Sequence, residues 1–316
     1  MKKAKTTAAH TVVGQKSFWQ YVRSNKGIYL FLLPGFIYLI IFNYIPMYGI
    51  VIAFQDFSPV KGIWNSPWIG WKNFEDLFTS SQFPTVLRNS ITFSLMRLAA
   101  GFPAPLIFAL LLNEVRNMKL KRAAQTISYI PHFISWVVVC GMVKIILSPT
   151  GDGLFNSIIG LFGIEPMNLL ISPKYFRLVI IVAEIWKEVG WGAIVYLAAL
   201  SGIDPTYYEA AVIDGATRLQ RIWYITLPAI SNTIVVLLVL RTGRILNNGF
   251  EQIFLLYSPM VYEVADVFET YTYRVGLLDG RFSYSTAIDL FKSLVGIVMI
   301  YTTNYISRLL GERALW

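Results

Sequence analysis

The sequence has 316 residues, of which 55% are hydrophobic and 14% charged, and its formal net charge is +9. With a mean hydropathy of +0.55, this composition excludes an ordinary soluble globular protein and is typical of a membrane protein with several spans. A single cysteine, Cys140, excludes an intrachain disulfide and a cysteine-based metal site.

The N-terminal segment, residues 1–27, is basic, and we expect it to remain in the cytoplasm. Its basic side chains are Lys2, Lys3, Lys5, Lys16, Arg23 and Lys26. The apolar run that follows is too long for a signal peptide and lacks a small-residue cleavage site. It is therefore predicted to be a retained membrane span.

Six segments are apolar and long enough to cross a bilayer core of about 30 Å, which requires about 20 helical residues. They are residues 28–54, 87–114, 126–147, 177–200, 230–247 and 284–309. The predicted fold is an all-α membrane protein with six transmembrane helices, an external loop at 55–86 and a tail at 310–316. An even number of spans places both termini on the same side.

The distribution of Lys and Arg predicts which side that is. Of the 27 basic residues, 14 fall on the side of the termini, seven on the opposite side and six within the spans. Both termini are therefore predicted to be cytoplasmic. The positive charge is interpreted as an orientation signal and not as a nucleic-acid-binding surface.

The loop 201–229, between the fourth and fifth spans, contains the polar stretch EAAVIDGATRLQRIWYITLP. Asp204 and Pro205 predict a helix start, because the Asp side chain can cap the helix and Pro is favoured at its first position. Gly215 predicts a bend, and a second helix is expected to end at Pro228. The loop is thus predicted to form an L-shaped helical hairpin on the cytoplasmic side.

The spacing in this loop resembles the EAA loop of the permease subunits of binding-protein-dependent ABC importers. The matching residues are Glu209, Ala210, Ala211, Gly215, Ile225, Leu227 and Pro228. In that family the loop is the coupling helix, which seats in a cleft of a separate ATP-hydrolysing subunit. Many relatives carry a second proline where this chain has Asn232, which leaves open the angle at which the fifth span begins.

By resemblance, nine residues form the ATPase-coupling surface. They are Glu209, Ala210, Ala211, Asp214, Gly215, Leu219, Ile225, Leu227 and Pro228. The resemblance implies that Glu209 is a polar anchor and that Gly215 is the bend. Leu219 is implied to form the packing face together with the two alanines.

The resemblance also implies the partners of the chain. ATP and Mg are expected on two ATP-binding-cassette subunits, and no cofactor is expected on this chain. A second, related permease subunit in a heterodimer and an external solute-binding protein would complete the importer. The implied location is the bacterial cytoplasmic membrane, with the lipid bilayer around several spans.

Further motifs extend the resemblance along the chain. The transmembrane core of the family is expected at 87–309, opening with RNS at 88–90 and including PHFIS at 131–135. The span at 28–54 then corresponds to the extra helix common in sugar-uptake members. The chain is therefore expected to be the permease of an ATP-driven importer that moves a sugar inward by alternating access.

Two shorter motifs suggest the kind of sugar. The run LPGF at 33–36 and the ending GERALW at 311–316 are similar to the subgroup that takes up oligosaccharides, including alginate and pectin fragments. The resemblance therefore implies an oligosaccharide as substrate.

Ionisable residues within the spans are costly in lipid and usually face a partner or a watery path. At about 1.5 Å per helical residue, Glu184 lies at the depth of Arg244, and Glu188 at that of Arg241. We therefore predict these two pairs between neighbouring fourth and fifth spans. Asp289 and Lys292, three residues apart in the sixth span, are expected to neutralise each other.

Two interpretations of these charges stay open. In the structural interpretation, the two charges of each pair neutralise each other and fix the register of the helices. In the functional one, part of the stripe lines a substrate path in which guanidinium groups guide an anionic sugar. The candidate path residues are Glu184, Lys187, Glu188, Trp191, Arg241, Arg244, Asn247 and Asn248. Most aromatic residues near the span ends are interpreted as belt residues at the membrane interface. The alternative for a minority inside the bundle, such as Trp186, Trp191 and Tyr196, is that sugar rings stack on them.

No motif indicates an enzyme. The sequence has no GxxxxGK[ST] phosphate loop, GxSxG elbow or HExxH pair, so no catalytic or metal residues are assigned. His10 and His132 lie in unlike contexts, and His132 is predicted to begin a helix. The alternative class is a stand-alone secondary transporter or channel subunit driven by ion gradients, followed by a structural membrane scaffold.

Overall fold

The computed structural model describes residues 22–150 and 153–309, and most of these residues are helical. Within these ranges, the β pairing is limited to an isolated antiparallel bridge between Gln55 and Trp68. The all-α prediction is therefore confirmed. Most of the basic N-terminal segment and the motif at 311–316 lie outside the described residues.

The chain divides into two compact units, Met1–Val51 and Ile52–Trp316. The first unit holds most of an apolar helix, Lys26–Phe54. The second unit holds the remaining spans and the polar loop between them. Its main helices are Lys72–Thr79, Phe83–Glu114, Met118–Phe133, Trp136–Ile146, Leu154–Gly160, Phe176–Ser201, Pro205–Ile213, Arg218–Ala229, Ser231–Thr242, Phe250–Leu256, Phe268–Tyr273 and Phe282–Leu309.

Several of these helices are long and apolar enough to cross a membrane. Among the described residues there are three: Lys26–Phe54, Phe83–Glu114 and Phe282–Leu309. Two bent pairs of helices raise the number to five if each pair is one span. Met118–Phe133 meets Trp136–Ile146 at 103°, and Arg218–Ala229 meets Ser231–Thr242 at 65°.

The first bend corrects the predicted span at 126–147, which was expected to be continuous. The second bend lies at the start of the predicted span at 230–247 and gives the angle, left open by the sequence, at which that span begins. At the first bend, Ile134 and Ser135 are extended, and the Ser135 hydroxyl accepts a hydrogen bond from the Val138 amide at the start of the next helix. At the second bend, Ile230 departs from helical geometry. The fifth segment also ends early, because the helix stops at Thr242.

Phe176–Ser201, which we call the central helix, contains 26 residues and corresponds to the predicted fourth span. At 1.5 Å per residue it is about 39 Å long, more than the hydrocarbon core requires. Its middle carries Glu184, Lys187 and Glu188, so its composition alone does not mark it as a membrane span.

The central helix packs closely against two neighbours because glycines remove side chains at the contacts. A Cβ atom at Gly190 would lie 2.1 Å from the Ser128 carbonyl oxygen, and one at Gly192 would lie 2.9 Å from Cγ of Pro105. These glycines bring the central helix against Met118–Phe133 and Phe83–Glu114. The close approach positions the charged middle of the helix against its neighbours.

We expect Gly190→Ala to destabilise the protein, because the new methyl group would overlap the Ser128 carbonyl and force two helices apart. Overpacking of this kind typically costs about 1–3 kcal/mol of unfolding free energy. Denaturant unfolding in mixed micelles measures the change. The matched control is Gly141→Ala, where no atom lies within 4 Å of the added Cβ. This substitution should stabilise the helix slightly, because alanine has a higher helix propensity than glycine. Equal stabilities of the two variants would contradict the close contact.

Candidate functional site

The polar loop between the fourth and fifth predicted spans folds into two short helices, Pro205–Ile213 and Arg218–Ala229, which we call the polar hairpin. The Asp204 carboxylate accepts a hydrogen bond from the Thr206 amide at 2.9 Å. This hydrogen bond lowers the pKa of Asp204 below its ordinary value. The predicted helix start is confirmed.

Gly215 separates the two helices with a φ of +78°, and no atom lies within 4 Å of a Cβ built there. Glycine is therefore favoured here by the left-handed backbone and not by lack of space. Thr217 then caps the second helix through a capping box, in which its hydroxyl accepts from the Gln220 amide. The bend predicted at Gly215 is confirmed.

The two helices of the hairpin are tied together by a hydrogen bond of 2.9 Å between the hydroxyl groups of Tyr208 and Thr226. The second helix does not end at Pro228 as predicted but continues to Ala229. Its turn at Ile222–Thr226 is widened to a π-bulge. A widened turn can accommodate a proline that lacks an N–H and would crowd the preceding turn.

Most of the predicted coupling residues are exposed on this hairpin. Glu209, Ala210, Asp214, Gly215, Leu219 and Pro228 are exposed, whereas Ala211, Ile225 and Leu227 are half-buried. Large apolar side chains are exposed beside them, with Ile213 at 85% and Leu219 at 65% of full exposure. Exposed apolar side chains grouped on a polar loop are typical of a surface that another protein covers.

A second feature is a cavity of about 550 Å³ beside the central helix, which we call the central cavity. Six of the eight predicted path residues line it: Glu184, Glu188, Trp191, Arg241, Arg244 and Asn247. Its wall also includes Arg97, Trp136 and Tyr196. Trp186, which was predicted to stack on sugars with Trp191 and Tyr196, is not part of this wall.

The ion pairs in the cavity differ from the predicted ones. Glu184 lies 2.6 Å from Nε of Arg97 and 3.3 Å from Nη2 of Arg241. The Glu184–Arg244 pair is therefore wrong, because Arg97 of the second predicted span occupies one side of the carboxylate. The fourth and fifth spans are neighbours as predicted, since Glu184 and Arg241 join them.

The Glu188–Arg241 pair is also wrong. The Glu188 carboxylate lies 2.7 Å from Nδ1 of His132 and 3.4 Å from Nζ of Lys187. The His132 ring is stacked on Trp191, with ring centroids 4.3 Å apart and an angle of 2° between the planes. His132 lies in the last turn of Met118–Phe133, so it ends a helix instead of beginning one.

Lys187 and Asn248 are the two predicted path residues that do not line the cavity. The Lys187 ammonium is buried and donates to the carbonyls of Pro131 and His132 at 3.3 and 2.5 Å. The Asn248 side chain is fully buried and donates to the Ser90 carbonyl at 3.1 Å. Both residues therefore hold the helices together and do not face the cavity.

Asp289 and Lys292 form the predicted pair, at 3.5 Å, but Lys292 lies closer to Glu269, at 2.8 Å. These two residues line two further cavities. One, of about 260 Å³, adjoins the central cavity at Arg244 and Asn247. The other, of about 400 Å³, extends towards Glu269.

Sequence reasoning missed two residues of the central cavity, Arg97 and Trp136, and the neighbouring His132, whose ring stacks on Trp191. Arg97 lies within the predicted second span, at 87–114, but no ion pair was predicted for it. His132 and Trp136 were not placed near the path. Arg97 begins a π-bulge at Arg97–Gly101, just before Pro103, and such bulges often lie at functional sites. The PAP run at 103–105 was the available signal.

Within residues 22–150 and 153–309, no three His, Cys, Asp or Glu side chains group closely enough to hold a metal ion. The central cavity is lined by charged, amide and aromatic groups. Such groups bind and orient a polar solute.

A family model described as binding-protein-dependent transport system inner membrane component matches residues 101–314. The chain belongs to this family. The match includes the polar hairpin and most of the central cavity. Two relatives from Bacillus subtilis (strain 168) are similar over nearly the full length.

One relative, Protein LplB, is 45% identical over 300 residues, which cover 95% of this chain and 94% of the relative. The other is polygalacturonan/rhamnogalacturonan transport system permease protein YteP. It is 47% identical over 292 residues, which cover 92% of this chain and 91% of the relative. The resemblance to ABC importer permeases is therefore confirmed.

Two solved structures are also similar. One is a bacterial ABC transporter involved in the import of the acidic polysaccharide alginate, with a TM-score of 0.84 and 44% identity, covering 92% of this chain and 98% of that chain. The other is a bacterial alginate ABC transporter in complex with an alginate pentasaccharide-bound periplasmic protein. Its TM-score is 0.87 at 42% identity, and the match covers 95% of this chain and 100% of that chain.

We expect Glu184→Gln to destabilise the protein by about 3–5 kcal/mol, because it leaves the buried Arg97 guanidinium without its carboxylate. The Glu184 and Arg97 side chains are only 17% and 6% exposed. Denaturant unfolding in mixed micelles measures the loss, and Arg97→Met in the same chain should recover part of it. The control Glu165→Gln removes an exposed carboxylate and should change stability by less than about 0.5 kcal/mol. A Glu184→Gln variant as stable as this control would contradict the role of the pair.

Proposed function

We propose that this chain is the membrane-spanning permease of an ATP-driven ABC importer for acidic oligosaccharides, which an external solute-binding protein delivers. The observation that carries the proposal is the central cavity, lined by Trp136, Trp191 and Tyr196 together with Arg241 and Arg244. It lies in a chain 44% identical to a transporter of an acidic polysaccharide and 47% identical to a polygalacturonan/rhamnogalacturonan permease.

The chemistry of this wall suits an acidic sugar. Flat aromatic faces pack against the C–H faces of sugar rings, and the guanidinium group can bind a carboxylate with two parallel hydrogen bonds. Both kinds of group bind a sugar without forming a covalent bond to it. The proposed role is therefore transport, with no catalytic residue on this chain.

The proposed topology has six spans, with both termini and the polar hairpin in the cytoplasm. Three spans would be the long apolar helices, and two more would begin at Trp136 and at Ser231, where the second helix of each bent pair starts. The central helix would be the sixth, since its 26 residues exceed the bilayer core and its charged middle has partners on neighbouring helices. The excess of Lys and Arg on one side supports the orientation.

The proposed importer contains two ATP-binding-cassette subunits and a second, related permease in a heterodimer, in a bacterial cytoplasmic membrane. ATP and Mg would be held by the ATPase subunits. The exposed residues around Ile213 and Leu219 would seat in those subunits, so that their closure moves the polar hairpin. Movement of the hairpin would open and close the central cavity to the two sides of the membrane in turn.

The complete importer in proteoliposomes should take up tri-galacturonate at least about tenfold faster than the neutral trimer maltotriose, because only the acidic sugar matches the guanidinium groups. Uptake should require both the solute-binding protein and ATP on the side of the ATPase subunits. Equal uptake of the two trimers would contradict the acidic substrate class. Uptake without ATP would favour a stand-alone transporter driven by an ion gradient.

We expect Gly215→Ala to uncouple the importer, because a side chain at a φ of +78° strains the bend by roughly 1–3 kcal/mol and tilts the exposed tip. Glu209→Ala should have a similar effect by removing the polar anchor. Substrate-stimulated ATPase activity and uptake should both fall by about tenfold or more.

The matched control for Gly215→Ala is Gly163→Ala, a glycine with a φ of +73° in a loop outside the hairpin. It introduces the same backbone strain and should leave coupling within about twofold. If the ATPase rate of Gly215→Ala equals that of this control, both the proposed contact and its cytoplasmic side are wrong.

A further inference from the structure

The segment that follows the helix Ser231–Thr242 carries two polar side chains, those of Arg244 and Asn247, that line the cavities. The residues next to these two are held in place by the surrounding protein. Leu246 is buried, and the buried Asn248 side chain donates to the Ser90 carbonyl. The Ser94 hydroxyl donates to the Ile245 carbonyl. Arg244 and Asn247 alternate with these anchors and are exposed.

The same segment is pressed against the final helix, Phe282–Leu309. A Cβ atom at Gly243 would lie 2.5 Å from Cδ1 of Ile300, and one at Gly296 would lie 2.6 Å from the Gly243 carbonyl oxygen. The backbone beneath Arg244 and Asn247 is therefore fixed on two sides. Groups held in place before binding lose less entropy when a ligand arrives.

Arg244 and Asn247 lie where the cavities meet. Both line the central cavity of about 550 Å³ and the adjoining cavity of about 260 Å³. A long solute that passes from one cavity to the other must therefore pass this pair. Among the described residues, Arg244 is the one charged residue that lines both cavities.

The charge balance distinguishes Arg244 from the other cations that line these cavities. Arg97 and Arg241 share the Glu184 carboxylate, and Lys292 is bound by Glu269 and Asp289. Among the described residues, no carboxylate or carbonyl pairs with the Arg244 guanidinium. The Asn247 amide likewise has no side-chain hydrogen bond within the described part of the chain.

We propose that Arg244 and Asn247 together form a carboxylate-binding site that selects uronate units of the oligosaccharide. This inference rests on the proposed function and names the residues that determine its specificity. The guanidinium would bind both carboxylate oxygens, and the Asn247 amide would donate to one of them or to an adjacent hydroxyl. Arg97 and Arg241 contribute less to this selection than Arg244, because the Glu184 carboxylate already neutralises part of their charge.

The test compares tri-galacturonate with its methyl ester, which has the same length and linkage but no negative charge. The complete importer in proteoliposomes is measured with both sugars as wild type, as Arg244→Gln and as Arg244→Lys. Arg244→Gln should lower uptake of the acid by about tenfold or more and uptake of the ester by less than about twofold. Arg244→Lys keeps the charge but not the planar fork, so its uptake of the acid should be intermediate.

The control Arg116→Gln removes an exposed arginine outside the cavities and should leave the ratio of acid to ester uptake unchanged. Equal losses for acid and ester in Arg244→Gln would overturn the assignment of Arg244. A weaker assembly with the second permease, with an unchanged ratio, would instead show that Arg244 pairs with a carboxylate of that subunit. Wild type that prefers neither sugar would refute the proposed substrate class itself, independently of any variant.

Discussion

The Glu184 carboxylate joins three helices, because it lies between Arg97 of Phe83–Glu114 and Arg241 of Ser231–Thr242. Two guanidinium groups and one carboxylate leave a net positive charge in a largely apolar bundle, and such an arrangement is stable only when every charge has a partner or water. The Arg97 and Glu184 side chains are 6% and 17% exposed, whereas the Arg241 side chain is 46% exposed at the cavity. This interaction fixes the relative depth of the three helices, and it therefore fixes the wall of the central cavity.

The polar hairpin shows how much of the site local sequence rules can predict. Capping by Asp204, the proline after it and the glycine at the bend each act over a few residues, and the structure contains all three features. The end of the second helix was placed one residue too early. A π-bulge before Pro228 allows the helix to continue, and no local rule in the sequence requires that bulge.

The ion pairs required information that lies outside any one segment. Depth along two helices correctly placed Glu184 near the fifth span, but it could not distinguish Arg241 from Arg244, which are less than one turn apart. Arg97 lies ten residues into the predicted second span, or about 15 Å deep, close to the depth of Glu184 and Glu188. The same reasoning applied to three helices would have included it. His132 could not be placed in this way, because the 103° bend after it brings its ring to Trp191.

The hydrogen bond between Tyr208 and Thr226 gives the hairpin a mechanical property that neither helix has alone. Two short helices joined by a glycine would fold at the joint under load and absorb a displacement of the tip. The hydroxyl pair resists a change of this angle, and the second helix of the hairpin leads, across the 65° bend at Ile230, into Ser231–Thr242, the helix that carries Arg241. In the proposed importer, a displacement of Ile213 would therefore reach the helix that carries Arg241 and would change the distance between the Arg241 guanidinium and the Glu184 carboxylate.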